Sequence, residues 1–226
     1  MVARRRKDRC RGKQLAFTGL IVLFLAFFVL STLYQQGSIS ADLAQELITT
    51  IISLSFPFAA LTWMYFRGGT TKRIFQSLGL AKDCFSLKML AMGALIFLIV
   101  ILMELSIGTI VQVTGVQINT NASIVFANAP LWFVLFVTII GPIDEEIFFR
   151  GFAVPRIGII PSALVFGLLH ASYGSTFGVE IIAAFIFGVI TGYVFKRTKS
   201  LYPGIVAHIL VNSLTATLAL IFLHLV

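Results

Sequence analysis

Residues 130–151 read PLWFVLFVTIIGPIDEEIFFRG, an apolar run that ends in three consecutive carboxylates and an arginine. This stretch decides the class of fold, because about 20 apolar residues in a helix cross the hydrocarbon core of a bilayer. A charged side chain inside that core costs at least about 2.5–3.5 kcal/mol. The cluster of Asp144, Glu145, Glu146 and Arg150 therefore indicates a functional site within a membrane protein.

The composition of the whole chain agrees with a membrane setting. Of its 226 residues, 58% are hydrophobic and 12% are charged, whereas soluble domains have about 45–50% and about 25%. The apolar runs predict an all-α polytopic membrane protein with about seven transmembrane helices, or eight at most. The predicted helices are about 15–33, 43–66, 87–113, 130–150, 159–171, 179–195 and 201–225.

Basic residues predict the orientation of these helices. All 17 lysines and arginines lie in four segments that are alternate connections of the seven-helix arrangement: 1–14, 67–88, 150–156 and 196–199. By the positive-inside rule the N-terminus is cytoplasmic and the C-terminus lies outside. The net charge of +8 is then explained by topology and by contact with anionic membrane lipid, and it does not indicate a nucleic-acid partner.

The spacing of the cluster distinguishes its two glutamates. Glu146 and Arg150 are four residues apart and lie on one helix face, so we expect them to form an ion pair. Glu145 is about 140° away from Arg150 around the helix and cannot easily share that pair. We therefore expect Glu146 and Arg150 to support the structure, and Glu145 to face a cavity as a general base.

Two later helices carry further polar residues to a similar depth. With a cytoplasmic N-terminus, Glu145, His170, His208 and Asn212 all lie roughly 8–16 Å inside the inner membrane face at 1.5 Å per residue. His208 and Asn212 are four apart and share a helix face. A carboxylate, an imidazole and a His/Asn donor pair are suited to activating water and stabilising an oxyanion.

Three motifs in this order resemble those of the CPBP membrane proteases, a family of CAAX prenyl endopeptidases and bacteriocin-processing and immunity (Abi) proteins. They are Glu145-Glu146-x-x-x-Arg150, Phe166-x-x-x-His170 and His208-x-x-x-Asn212. The resemblance covers about residues 128–220. We expect a single membrane domain over 1–226, in which 1–127 adds helices without a motif and 128–220 forms the catalytic core.

The resemblance implies the activity and the role of each residue. Glu145 and His170 would activate water, His208 and Asn212 would form the oxyanion hole, and Glu146 and Arg150 would be supporting residues. The implied reaction is hydrolysis of a peptide bond without a covalent intermediate and without a cofactor. The substrate would be a membrane-associated peptide or prenylated protein, cleaved near its C-terminus from the cytoplasmic side of a prokaryotic cell membrane.

Two alternatives stay open. Glu145, His170 and His208 could instead hold zinc, with water as the fourth ligand, although no His-Glu-x-x-His signature is present. The chain could also be a non-enzymatic immunity or membrane interaction protein. Two further carboxylates, Asp144 and Glu104, have no assigned role.

Overall fold

The fold is helical throughout the part of the chain that the structure, a computed structural model, describes: residues 25–115 except 27 and 31, 129–170 and 179–224. No strand occurs within those ranges, and the all-α class is confirmed. Among the described residues, four helices are long and apolar enough to cross a membrane: Ala41–Phe66, Leu87–Thr114, Val179–Thr198 and Tyr202–Ile221. The predicted first helix lies mostly outside the described residues. The count of seven helices and the cytoplasmic N-terminus stay predictions.

The chain divides into two compact units, Met1–Gln76 and Ser77–Val226. The first unit contains α1 (Ala41–Phe66) and nearly all of α2 (Thr71–Ser77). Helix α1 begins where the Ser40 hydroxyl accepts a hydrogen bond from the amide of Leu43 at 3.2 Å, which is a standard N-cap. All three sequence motifs lie in the second unit.

The described residues of the second unit contain five helices of more than ten residues: α3 (Leu87–Thr114), α4 (131–157), α5 (Ile159–Leu169), α6 (Val179–Thr198) and α7 (Tyr202–His224). Helix α3 runs along α7, α5 runs along α6, and α4 contacts α5, α6 and α7. The bounds of α3, α5, α6 and α7 agree within three residues with the predicted apolar runs, because length and hydropathy are local properties of a membrane helix. Helix α4 continues seven residues beyond the predicted end at about 150.

Small residues allow two of these pairs to approach closely. A Cβ atom at Gly188 of α6 would lie 3.0 Å from the Cβ of Ala163 in α5, and one at Gly93 of α3 would lie 2.7 Å from the Cβ of Val206 in α7. Membrane helices gain little from the hydrophobic effect between them, so such contacts are a main source of packing energy. Each of these glycines thus packs a motif-bearing helix, α5 or α7, against a helix without a motif.

Helix α4 contains two π-helical segments. Its α-helical segments Leu131–Leu135, Gly141–Glu145 and Val154–Ile157 alternate with π-helical segments Phe136–Ile140 and Glu146–Ala153. Each π segment ends two residues before a proline, at Pro142 and Pro155. Proline has no N–H and its ring crowds the preceding turn, so a wider turn is one way in which the helix continues past it. Glu145 and Glu146 lie on either side of a change in register.

The start of α7 is fixed by the segment that precedes α3. The amide of Leu201 donates to the carbonyl of Gly79 at 3.1 Å, and the Tyr202 hydroxyl donates to the carbonyl of Leu80 at 3.1 Å. Gly79 has φ +73°, and a Cβ there would lie 2.5 Å from the carbonyl oxygen of Lys199. Glycine is therefore required at this contact. The contact holds the end of α7 from which His208 projects two turns later.

Candidate active site

Glu146 and Arg150 form the buried centre of the site. Arg150 Nη1 lies 3.1 Å from Glu146 Oε1, and the two side chains are 1% and 0% exposed. Arg150 Nε also donates to the Thr191 hydroxyl at 2.8 Å, and that hydroxyl donates to the carbonyl of Phe187 at 2.8 Å. The predicted ion pair is confirmed, and α6 contributes to it through Thr191.

Aromatic rings enclose the Arg150 guanidinium. Its central carbon lies 4.2 Å from the ring centre of Phe166 and 5.4 Å from that of Phe187. A guanidinium over an aromatic face is attracted by the ring quadrupole, more strongly when water is excluded. Phe166 also packs against His170, since their ring centres are 4.5 Å apart. The same ring thus supports both the second-motif histidine and the first-motif arginine.

His208 connects the two glutamates. Its Nδ1 lies 3.3 Å from Glu146 Oε1, and its Nε2 lies 3.6 Å from Glu145 Oε2. Glu146 Oε1 thus contacts the His208 ring as well as the Arg150 guanidinium that was expected to pair with it. The neutral ring carries one proton and presents an N–H to only one of the two carboxylates, whereas the protonated ring presents an N–H to both.

Glu145 differs from its neighbour in exposure. Its side chain is 22% exposed, whereas that of Glu146 is 0% exposed. The contact of Glu145 with His208 is longer than a hydrogen bond, so this carboxylate is held less tightly. Of the two glutamates, Glu145 is the one that a water molecule or a substrate can reach.

His170 ends α5 and is oriented by its own helix. Its Nδ1 lies 2.8 Å from the carbonyl oxygen of Phe166. A carbonyl oxygen can only accept, so Nδ1 carries the proton and Nε2 is the basic nitrogen of the neutral ring. Phe166 lies between the two histidines, with its ring centre 4.5 Å from that of His170 and 5.9 Å from that of His208. The second and third motifs therefore meet at one aromatic side chain.

Asn212 lies one helical turn beyond His208 and contacts a different part of α4. Its Nδ2 donates to the carbonyl oxygen of Val137 at 2.9 Å. The structure thus places His208 against the carboxylates and directs the Asn212 amide to the backbone of the first π segment. The predicted catalytic roles of Glu145, His170, His208 and Asn212 stay predictions.

Sequence reasoning missed several residues that complete the site. Thr191 and Ser162 are 2% and 1% exposed, and the Ser162 hydroxyl donates to the carbonyl of Phe149 at 2.7 Å. Gly204 lies against Glu146, because a Cβ at that position would overlap Glu146 Oε2. The available signal was weak: Thr191 lies between Gly188 and Gly192 on an apolar helix, where a polar residue often bonds across a helix interface.

The predicted zinc alternative requires Glu145, His170 and His208 to converge on one point. Within the described ranges, no three histidine, cysteine, aspartate or glutamate side chains are grouped so that they could hold a metal ion. The contacts of His208 are made to the two adjacent glutamates, and His170 Nδ1 contacts a backbone carbonyl. The zinc alternative stays a prediction with no geometric support among these residues.

Together, the apolar helices and the carboxylate, imidazole and guanidinium cluster define a multi-pass helical membrane protein with an ionisable site among its helices. Residues 127–214 match the family model described as Rce1-like, type II CAAX prenyl endopeptidase Rce1-like. The motif-bearing part of the chain is thus similar to Rce1-like endopeptidases, in agreement with the resemblance of its three motifs to those of the CPBP proteases. The match supports a protease. No curated protein and no solved structure shows significant similarity to the chain.

Proposed function

We propose that the protein is an intramembrane endopeptidase that cleaves membrane-associated substrates with CAAX-type C-terminal ends, prenylated proteins among them. The observation that carries the proposal is the unequal environment of two adjacent carboxylates. Glu146 is fully buried in a cluster with Arg150, whereas Glu145 is partly exposed and lies 3.6 Å from His208. The carboxylate of Glu145 is accessible and lies beside the His208 imidazole, which in turn contacts the buried pair of Glu146 and Arg150. This arrangement suits general-base activation of water.

In the proposed reaction Glu145 and His170 position one water molecule beside the scissile peptide carbonyl. Glu145 takes a proton from the water as its oxygen attacks the carbonyl carbon, and the carbonyl oxygen becomes an oxyanion. His208 and Asn212 are the proposed oxyanion donors. Breakage of the C–N bond then transfers the proton from Glu145 to the leaving amine. A general base contributes typically about 10²–10⁴-fold to the rate, and one oxyanion donor about 10²–10³-fold.

The substrate class is proposed from the family match and the surroundings of the site. A prenyl group is apolar and is expected to enter between membrane helices, and the cluster lies where apolar helices α4, α5, α6 and α7 meet. The basic connections predict that the site opens toward the cytoplasm, where a C-terminal prenylated tail anchored in the membrane would reach it.

The test uses the full chain, purified in detergent and returned to lipid vesicles. A farnesylated CAAX peptide and its unprenylated counterpart are offered to wild type, Glu145→Gln and Glu104→Gln. Glu104 is a matched control, because it is a carboxylate of α3 outside the three motifs. We expect cleavage of the farnesylated peptide by wild type and Glu104→Gln, and a loss of about 10²–10⁴-fold in Glu145→Gln. Unchanged turnover in Glu145→Gln would contradict the proposal.

Metal dependence is tested in the same assay. We expect cleavage to persist in the presence of a strong chelator, because the proposed base is a carboxylate and no metal-bound water is needed. If the chelator abolishes cleavage and zinc restores it, the alternative with Glu145, His170 and His208 as ligands replaces the proposed scheme.

A further inference from the structure

The first π segment of α4 leaves one backbone carbonyl without its regular helical partner. The amide of Gly141 donates to the carbonyl of Phe136, which is the i to i+5 pattern of a π turn. In that register the carbonyl of Val137 would accept from residue 142. Residue 142 is proline and has no N–H, so the helix itself cannot satisfy the Val137 carbonyl in this register.

Asn212 supplies the missing donor from another helix. Its Nδ2 lies 2.9 Å from the Val137 carbonyl oxygen. A backbone carbonyl away from water needs a hydrogen-bond partner, and this requirement is stricter in a membrane because no solvent can replace the donor. The Asn212 amide thus takes the place of the N–H that Pro142 lacks.

A side chain from another helix also contacts the backbone at the second π segment, but at a carbonyl that already has a helical donor. This segment ends two residues before Pro155, and the Ser162 hydroxyl of α5 donates to the Phe149 carbonyl at 2.7 Å. The Phe149 carbonyl also accepts from the amide of Val154. A side chain from another helix therefore contacts the backbone near the end of both π segments, and at the first one it stands where a backbone donor is missing.

We infer that Asn212 is a positioning residue: its amide satisfies the Val137 carbonyl of α4 in place of the N–H that Pro142 lacks, and thereby fixes where Glu145 lies. This role is additional to any contact with the oxyanion. Helix α7 holds α4 at two levels: Asn212 at the Val137 carbonyl, and His208 at the carboxylates of Glu145 and Glu146. Residues 138–144 connect the two levels. A change of register in them would rotate Glu145 away from His208.

The inference rests on the proposed protease activity for its kinetic test, which is a double-mutant cycle. Asn212→Ala, Pro142→Ala and the double variant are compared in the full chain with the farnesylated peptide. Replacement of Pro142 restores an N–H, so the Val137 carbonyl gains a backbone donor from Gly141 in an α register or from residue 142 in a π register. The need for Asn212 as a donor to that carbonyl then disappears.

We expect Asn212→Ala to lower kcat with little change in KM, because the placement of Glu145 is altered and not the surface that binds substrate. In the Pro142→Ala background we expect the loss of kcat caused by Asn212→Ala to be smaller by at least about 5-fold. A difference of this size is within the range of coupling free energies between residues of one hydrogen-bond network. Equal losses in the two backgrounds would overturn the inference and leave Asn212 as an oxyanion donor only.

A second measurement is independent of catalysis. Amide hydrogen exchange of residues 138–146 is followed without substrate in wild type, Asn212→Ala and Thr215→Val. Thr215 is the control, because it is exposed and its hydroxyl bonds within α7 to the carbonyl of Val211 at 3.0 Å. We expect exchange to rise about 10-fold or more in Asn212→Ala alone, since local opening then requires less free energy.

Unchanged exchange in Asn212→Ala would overturn the inference, even if Pro142→Ala fails to fold. A wild type that cleaves neither peptide would instead contradict the proposed function, and the exchange measurement would still decide the role of Asn212.

Discussion

Glu145 and Glu146 are adjacent in the chain but belong to two different regions of the molecule. Glu146 is 0% exposed, lies 3.1 Å from Arg150 and 3.3 Å from His208, and is covered by Gly204. Glu145 is 22% exposed, and its contact with His208 is 3.6 Å long. The comparison indicates that the tightly paired carboxylate of Glu146 supports the structure. The loosely held carboxylate of Glu145 is the one to which we assign the role of general base in the proposed function.

The largest expected difference in stability between the two regions is found by replacing each glutamate with the isosteric glutamine. Glu146→Gln leaves the Arg150 guanidinium as a buried charge without its carboxylate, and breaking a buried pair typically costs about 3–5 kcal/mol. Glu145→Gln is the matched control, and we expect its stability to change by less than about 0.5–1 kcal/mol, as at partly exposed positions. Reversible unfolding in mixed detergent measures both. Equal destabilisation by the two variants would contradict the division into regions.

A smaller effect is expected at Thr191, the α6 contact of the buried region. Thr191→Val keeps the shape of the side chain but removes the hydroxyl that accepts from Arg150 Nε at 2.8 Å. Hydrogen bonds to charged groups contribute about 1.5–3 kcal/mol, and we expect a loss of that size. Thr217→Val is the control, because the Thr217 hydroxyl donates within its own helix to the carbonyl of Ser213 at 2.7 Å. The same unfolding assay applies, and equal losses at both threonines would show that Thr191 does not support Arg150.

The smallest net effect is expected at Gly204. Gly204→Ala places a methyl group against Glu146 Oε2, and overpacking typically costs about 1–3 kcal/mol. Alanine also favours a helix over glycine by about 0.8–1.0 kcal/mol, so the net loss is roughly 0–2 kcal/mol.

Gly108→Ala is the control that separates the steric contact at Gly204 from the gain in helix propensity. Gly108 is a helical glycine of α3 with no atom within 4 Å of its added Cβ, so only the gain from helix propensity remains. The difference in unfolding free energy between the two variants then measures the contact with Glu146. A difference near zero would mean that the glutamate moves aside without cost.

The sequence predicted those parts of the structure that depend on neighbours along one helix. The bounds of α3 differ by one residue from the predicted run, and the pairing of Glu146 with Arg150 follows from their four-residue spacing. These features are local, since hydropathy fixes the length of a membrane helix and 3.6 residues per turn fix its faces.

Contacts between helices were beyond such reasoning. The bridge from His208 to both glutamates and the bond from Asn212 to Val137 depend on how far α7 is shifted along α4. The π segments add to the difficulty, because each extra residue in a turn rotates all later side chains by about 100° relative to an ideal helix. Pro142 and Pro155 are visible in the sequence, but a proline is equally compatible with a kink or a helix end. The choice among these outcomes depends on donors from other helices.

The buried pair of Glu146 and Arg150 also bears on the order in which the protein is made. Chains are synthesised from the N-terminus, so α4 is complete before Thr191 and His208, which follow their partners by 41 and 62 residues, have left the ribosome. Because Glu146 and Arg150 are on one helix, they neutralise each other without waiting for α6 or α7. The helix that carries the most charge thus brings its own counterion when it is delivered to the bilayer.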